Sequence, residues 1–305
     1  MLVGVVLGGC ATVPTRPRAA TPIAATVTAV QPPGTLSFGH IFVILLENKE
    51  APDVVDSPSA PFLNSLARQY ARAARFYGTS HPSLPNYLAL TGGDTFGITT
   101  NCTTCFLDRP NLADGIERSG RTWKAYMESM PSPCFEHNDG NYAQKHDPFM
   151  YYKNIRDNPD RCAKVVPLEV LKTDLESGQV PDFVWITPDM CNSTHDCELT
   201  KGDEWLKEWV PRIMGSSAWG PDAVLFITFD EGDSDAGCCR YAAGGVIDTV
   251  VVSPLARPGF VSERSYDHYS LLRTIEEAWG LPLLGKSACE CSPAMDDMFA
   301  LSDIQ

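Results

Sequence analysis

Basic residues are scarce in this chain. Across 305 residues, 24 lysines and arginines stand against 38 aspartates and glutamates, a formal charge of −14. Nucleic acid is thereby excluded as a partner, because a phosphate backbone is held by clustered Lys and Arg. Long apolar runs are lacking too. Beyond the N-terminus no segment stays apolar over the ~20 residues that a helical membrane span needs. No internal repeat stands out, which leaves one large α/β domain or two small ones. What is present is globular: 44% apolar and 20% charged residues, a composition that can bury a core. An acidic chain can still act on an anionic substrate if a bound cation reverses the local sign.

The N-terminus, MLVGVVLGGCA, lacks the Lys or Arg that opens an export signal. It is otherwise like the end of a bacterial lipoprotein signal, with Leu7-Gly8-Gly9 before a Cys10 that would carry lipid and attach the chain to a membrane. The start codon would then lie upstream; the alternative is a chance apolar terminus. Residues 11–38 are rich in Ala, Thr and Pro and read as a tether. Residues 39–305 come next as a single folded domain. Setting Cys10 aside, ten of the 11 cysteines remain. An even count after an export signal implies five disulfides in an oxidising compartment, so an exported protein, membrane-anchored, periplasmic or extracellular. Structural zinc through Cys102-x-x-Cys105 and Cys289-x-Cys291 is the alternative. A Cys191–Cys197 bridge would close a small loop around His195.

From His40 onward the pattern is that of alternating strands and helices. Residues 41–46, 182–188, 223–229 and 246–253 read as strands buried on both faces. Residues 61–73, 111–119, 165–177, 203–214 and 266–279 read as helices, the fourth bent at Pro211. Residues 123–130 fit either element. Residues 131–162, rich in turn formers and aromatics, read as an ordered loop over a site and carry His137 and His146. The alternation predicts a layered α/β domain with a mainly parallel sheet.

The stretch from Thr79 to Gly93, TSHPSLPNYLALTGG, organises the rest. Pro85 suits the first turn of a helix, and Gly92-Gly93 ends it. Ser83 then sits at a helix N-terminus, where free N–H groups and the dipole favour an anion. Alone, that serine reads first as a simple helix cap, since capping serines are common. Three buried strands, however, end in acid: Glu47-Asn48, Asp189 and Asp230-Glu231. In a parallel sheet these ends converge on one edge, and crowded carboxylates call for a cation. His195 and His268 supply nitrogen ligands of the kind zinc sites use, and a serine nearby completes a metal-activated nucleophile.

These pieces (ILLENKE, THPSLPNYLALTGG, YAQKHDPF, ITPDMCNSTHDC, GDEWL, ITFDEG and DHYSLLRTIEEAWG) resemble the phosphoesterase family of acid phosphatases and phospholipases C, within the alkaline phosphatase superfamily. The resemblance spans Gly39 to about Leu281. It implies an alkaline-phosphatase-like sandwich with helices on both faces of the sheet, and Ser83 as nucleophile, two residues before Pro85-Asn86. It implies that Glu47, Ser83, Asp230 and Glu231 hold one divalent metal ion, with Asn48 on that metal or its phosphate. It further implies that Asn86 hydrogen-bonds a phosphate oxygen, that Asp189, His195 and His268 match a second metal site, and that His146 contacts phosphate. The spacing from Asp189 to His195 and the presence of Glu231 depart from the two-metal pattern. With one metal, His195 and His268 would contact phosphate or protonate the leaving group. The implied activity is hydrolysis of phosphate monoesters through a phosphoserine. A phospholipase C-type diesterase and a non-catalytic metal- or phosphate-binding lipoprotein are the alternatives. Sulfatase chemistry is disfavoured, because Tyr87 stands where that motif has Arg.

Overall fold

Residues 1–4 and 36–300 are described by the structure, a computed structural model. Cys10 and the tether up to residue 35 lie outside the described residues. Eight strands, β1 (Ile41–Leu46), β2 (Ala71–Tyr77), β3 (Trp123–Met127), β4 (Val165–Pro167), β5 (Phe183–Thr187), β6 (Val224–Phe229), β7 (Val246–Val252) and β8 (Phe260–Asp267), form one sheet. Their order is β4-β3-β5-β1-β6-β7-β2-β8. Only β7 runs against the rest: it pairs antiparallel with both β6 and β2, whereas β2 and β8 are parallel. The helices are α1 (Ala51–Val54), α2 (Pro61–Gln69), α3 (Ser83–Gly92), α4 (Leu112–Arg118), α5 (Lys153–Arg156), α6 (Pro159–Cys162), α7 (Glu169–Ser177), α8 (Leu199–Met214) and α9 (His268–Trp279). Every residue of β1, β5 and β6 is buried. Successive strand residues point to opposite faces, so both faces of the sheet centre are covered. No helix among the described residues is long and apolar enough to cross a membrane.

The strands read as doubly buried are β1, β5, β6 and β7. The other half of the sheet differs from expectation in three places, each for a local reason. The helix expected over 61–73 stops at Gln69, where Tyr70 leaves helical geometry, and ARAARFY becomes β2. Its alanines and arginines favour helix, but β2 is placed between β7 and β8, where tertiary pairing outweighs propensity. The helix expected over 165–177 begins only at Glu169: Val165–Pro167 form the edge strand β4, where Pro167 can sit. Tyr266 and Asp267 end a strand, β8, and the helix starts at His268. Trp123–Met127 is a strand, paired with β5.

All ten cysteines from Cys102 onward pair with the next cysteine along the chain, four of the five bridges within six residues. The bridges are Cys102–Cys105, Cys134–Cys162, Cys191–Cys197, Cys238–Cys239 and Cys289–Cys291. The two pairs considered for zinc are therefore disulfides. Cys191 and Cys197 have Cα atoms 4.7 Å apart, within the range a bridge requires.

Candidate active site

The C-terminal ends of β1, β2, β3, β5, β6 and β8 share one edge of the sheet, and the acidic residues gather there. Glu47 comes directly after β1, and Asp230-Glu231 directly after β6, its register neighbour. All three side chains are buried. Asn48 has a left-handed backbone, φ 49°, a conformation Asn tolerates better than most residues. That turn aims its N–H at Asp230 Oδ1, 3.0 Å away, and the Glu231 N–H donates to the same oxygen at 2.7 Å. The Asp230 carboxyl faces both Glu47 and the Ser83 hydroxyl. Burial, then mutual repulsion, raises Asp230 well above the usual carboxylate range, and burial foremost pushes Glu47 and Glu231 each to about 7. Three crowded carboxyls in one dry corner cannot all ionise without a cation among them.

Ser83 is the first residue of α3 and is buried, its hydroxyl 3.3 Å from Glu231 Oε1. Asn86, one turn on, does not face outward. Its Oδ1 accepts from the N–H groups of Thr79 and Ser80, and its Nδ2 donates to the carbonyls of Ser80 and Pro82. The side chain clamps the loop that delivers Ser83, which leaves no free amide hydrogen aimed at a phosphate. His268 is likewise committed: its ring nitrogens meet Thr79 Oγ1 and the Phe229 carbonyl, each at 3.1 Å. Burial drives it down to about 4. It ties the Thr79 turn to the end of β6, at the carbonyl just before Asp230. Residue type at the right place in the chain suggests a ligand role for both. The fold instead spends each of these buried side chains on nearby backbone groups and, for His268, a hydroxyl as well.

Asp189 is also a support. Its Oδ1 accepts from the N–H groups of Cys191 and Asn192, and its Oδ2 from Ser129 Oγ at 2.8 Å. It thus shapes the disulfide-closed loop that carries His195. That loop is fastened to the end of β1: Glu47 N–H donates to Ser193 O, and Thr194 Oγ1 donates to Glu47 O. His195 reaches the site from there, half-buried, beside His146 with ring centres 5.6 Å apart. His146 is stacked on Tyr87 at 5.3 Å, and the Tyr87 hydroxyl donates to Glu47 Oε1. Burial holds both histidines below their usual range, His146 strongly so. Both are therefore neutral imidazoles at neutral pH, fit to accept a bond or ligate a cation.

Three contributors escape a reading of the sequence. Tyr87 lies four residues after Ser83, hence on the same helix face. His81 Nδ1 sits 2.5 Å from Glu231 Oε2 and anchors the carboxyl that faces Ser83. Lys145, inside YAQKHDPF, places its Nζ 2.9 Å from His195 Nε2. Only Tyr87 has a usable signal, its helical spacing.

The buried oxygens test whether a divalent cation fits. Glu47 Oε2, Asn48 Oδ1 and Asp230 Oδ2 are buried with no hydrogen-bond partner. His146 Nε2 lies 3.0 Å from Glu47 Oε2 but out of line for a hydrogen bond, so it too is unpaired. Partnerless buried acceptors are costly, and oxygen donors of this kind suit a hard cation. Glu47, His146 and His195 form a second grouping, with ligand atoms all within 4.8 Å of one another.

Comparison with known proteins agrees with this fold. A solved protein of the alkaline phosphatase superfamily from Vibrio parahaemolyticus superposes with a TM-score of 0.58 at 13% identity, covering 88% of this chain and 72% of that one. At that identity the likeness is one of fold. The sequence matches the Phosphoesterase family over residues 40–282, and the chain belongs to that family. It is 30% identical to an acid phosphatase of Aspergillus fumigatus over 266 residues, covering 83% of this chain and 58% of that protein. It is 31% identical to a phosphatidylinositol-3-phosphatase of Mycobacterium tuberculosis over 258 residues, covering 82% of this chain and 79% of that protein. The chain spans about three fifths of the length of the fungal phosphatases it matches, 58% and 63% in two of them.

Proposed function

We propose that the protein is a metal-dependent phosphatase that hydrolyses phosphate monoesters through a phosphoserine on Ser83. One observation carries the reading: a hydroxyl at the first residue of α3 is held against Glu231 in a corner whose buried carboxylate and amide oxygens lack partners. The names of the fungal and mycobacterial relatives point the same way. Glu47, Asn48, Asp230 and Glu231, with the Ser83 hydroxyl, would hold one divalent cation. Such a cation supplies positive charge that lowers the cost of deprotonating a hydroxyl and of building charge on a transferring phosphoryl group.

The remaining chemistry belongs to the side chains. Ser83 Oγ gives its proton to Glu231 and attacks phosphorus. The bond from phosphorus to the leaving oxygen breaks, and that oxygen keeps the electron pair. His195, its ring nitrogens held by Asp196 and Lys145, lines the site beside the departing group. Glu231 sheds the first proton to solvent, where the departing oxyanion takes one up. Water then attacks the phosphoserine and gives a proton to Glu231, which hands it to the Ser83 oxygen as that oxygen leaves and the hydroxyl reforms. His81 keeps Glu231 turned toward Ser83 throughout. Five disulfides and the lipoprotein-like sequence around Cys10 support an exported protein, with a lipid on Cys10 as its anchor; mass spectrometry of the mature N-terminus tests that part.

Hydrolysis of an aryl phosphate, with metal and after chelation, tests the main reading. Turnover should be lost on chelation and return with a divalent ion. Activity that survives full metal removal, or none under any metal, would refute it. Ser83→Ala should abolish turnover while inorganic phosphate still binds.

A further inference from the structure

Lys145 is an unusual cation for so acidic a chain. It is partly buried in the loop over the site and forms no ion pair with a carboxylate among the described residues. Its Nζ rests instead on a neutral partner, His195 Nε2, at 2.9 Å. Lys49, the other lysine beside the acidic corner, is different: its ammonium is spent on the carbonyls of Asn48 and Thr194. The charge of Lys145 is felt by Glu47, His146 and His195 alike. Those are the three residues whose ligand atoms would otherwise frame a second cation. An ammonium resting on the His195 ring puts a single positive charge beside the place where a second metal would have to bind.

We infer that Lys145 takes the place of a second metal and pairs with a non-bridging oxygen of a phosphate monoester, so that it selects the monoester dianion over diesters. The inference rests on the phosphoesterase reading above and names its substrate class. A monoester bears two negative charges on its terminal oxygens and a diester one. One divalent ion plus one ammonium matches the former, and the second positive charge is of little use to the latter. The geometry favours Lys for this: a flexible point charge follows a tetrahedral phosphate without demanding the planar fork of Arg. His195, held by Asp196 at 2.7 Å on its other nitrogen, fixes the ammonium without neutralising it.

The test compares wild type, Lys145→Met and Lys145→Arg on an aryl phosphate monoester and on the matching methyl aryl diester, with metal content measured on each protein. Losing one charge-assisted hydrogen bond should lower monoester kcat/KM about 10- to 100-fold in Lys145→Met. The monoester-to-diester ratio should fall at least about tenfold, Arg should restore part of it, and wild type should hold one metal per chain. Equal losses on both esters would show a merely structural role and overturn the inference, as would two metals per wild-type chain. Calorimetry of inorganic phosphate separates this from the parent reading. Phosphate binding weakened in Lys145→Met, in a protein that hydrolyses neither ester, would sink the hydrolase reading and keep Lys145 as the anion contact. Phosphate binding unchanged by the substitution would sink the Lys145 inference whatever the turnover.

Discussion

The site has two sides, and they are built differently. The floor, Glu47, Asn48, Ser83, Asp230 and Glu231, comes from two adjacent strand ends and the first residue of a helix. Three of its buried oxygens, on Glu47, Asn48 and Asp230, have no hydrogen-bond partner. The wall, Lys145, His146, Asp189 and His195, comes from loops. Asp189 there is fully partnered, and the 191–197 segment is closed by a disulfide and fastened to the end of β1. Rigid sheet edges can hold unsatisfied charge in place, because their backbone is already secured by the ladder. Loops need their own polar groups to keep their shape. The difference teaches which residues are free to meet a ligand: those the fold leaves without partners.

The largest expected effect breaks the floor. Asp230→Ala should lose metal and about 10³-fold of activity together, while the fold persists, because relief of the crowded carboxyls offsets the two N–H bonds lost with Asp230 Oδ1. Elemental analysis and circular dichroism on the same preparation check this; retained metal would mean that the cation sits elsewhere.

The next prediction uses a carboxyl from neither side. Glu276 is buried and raised to about 8, burial being the main cause. Yet both oxygens are partnered, Oε1 by Leu284 N–H and Oε2 by Ser287 Oγ. Those partners tie the carboxyl to the segment that follows α9, and so mark it as structural. In the unfolded chain Glu276 titrates near 4.5, so the native state binds the extra proton between 4.5 and about 8. Its stabilising contribution is therefore complete below pH 4.5 and is lost as pH rises through about 8. Glu276→Gln should flatten that decline, by on the order of 2–4 kcal/mol between about pH 5 and about pH 8, in thermal melts at the two pH values. An unchanged slope would assign the decline to other groups.

Much of the floor was legible in the sequence, because the cue was simple. Continuous apolar runs such as IFVILL and VLFITF can only be strands with both faces covered, and the residues just beyond the C-terminal end of such a strand lie on the functional edge. Gly93 at φ 73° closes α3 where the double glycine required. The wall was not legible. His146 and Lys145 come from a loop whose course depends on packing against Tyr87 and Trp185, and no local periodicity reports that. Asn86, Asp189 and His268 had the right residue types at the right ends of elements, but their bonding partners are backbone groups and hydroxyls that only the folded chain brings near. The strand β2 was hidden for a related reason: its alanines and arginines favour helix, and only pairing with β7 and β8 decides otherwise.

The wall gives the smaller effects. Replacing Cys191 and Cys197 together by serine should cost about 2 kcal/mol or less, since the loop is short. It should raise KM severalfold with little change in kcat, because Ser193 and Thr194 still tie the loop to β1. A collapse of kcat would make the bridge part of the chemistry. Smallest of all, Ser80→Ala should stay within about twofold of wild type and ~0.5 kcal/mol in stability, because Ser80 contributes its N–H and carbonyl to the Asn86 clamp.

The most direct test of the central claim is to trap the intermediate. Turnover of a radiolabelled aryl phosphate, quenched rapidly in acid and digested, should leave phosphate on the peptide that contains Ser83, and Ser83→Ala should leave none. Label on another residue, or full activity in Ser83→Ala, would contradict the account: water would attack phosphorus directly, and Ser83 would be no more than the cap of its helix.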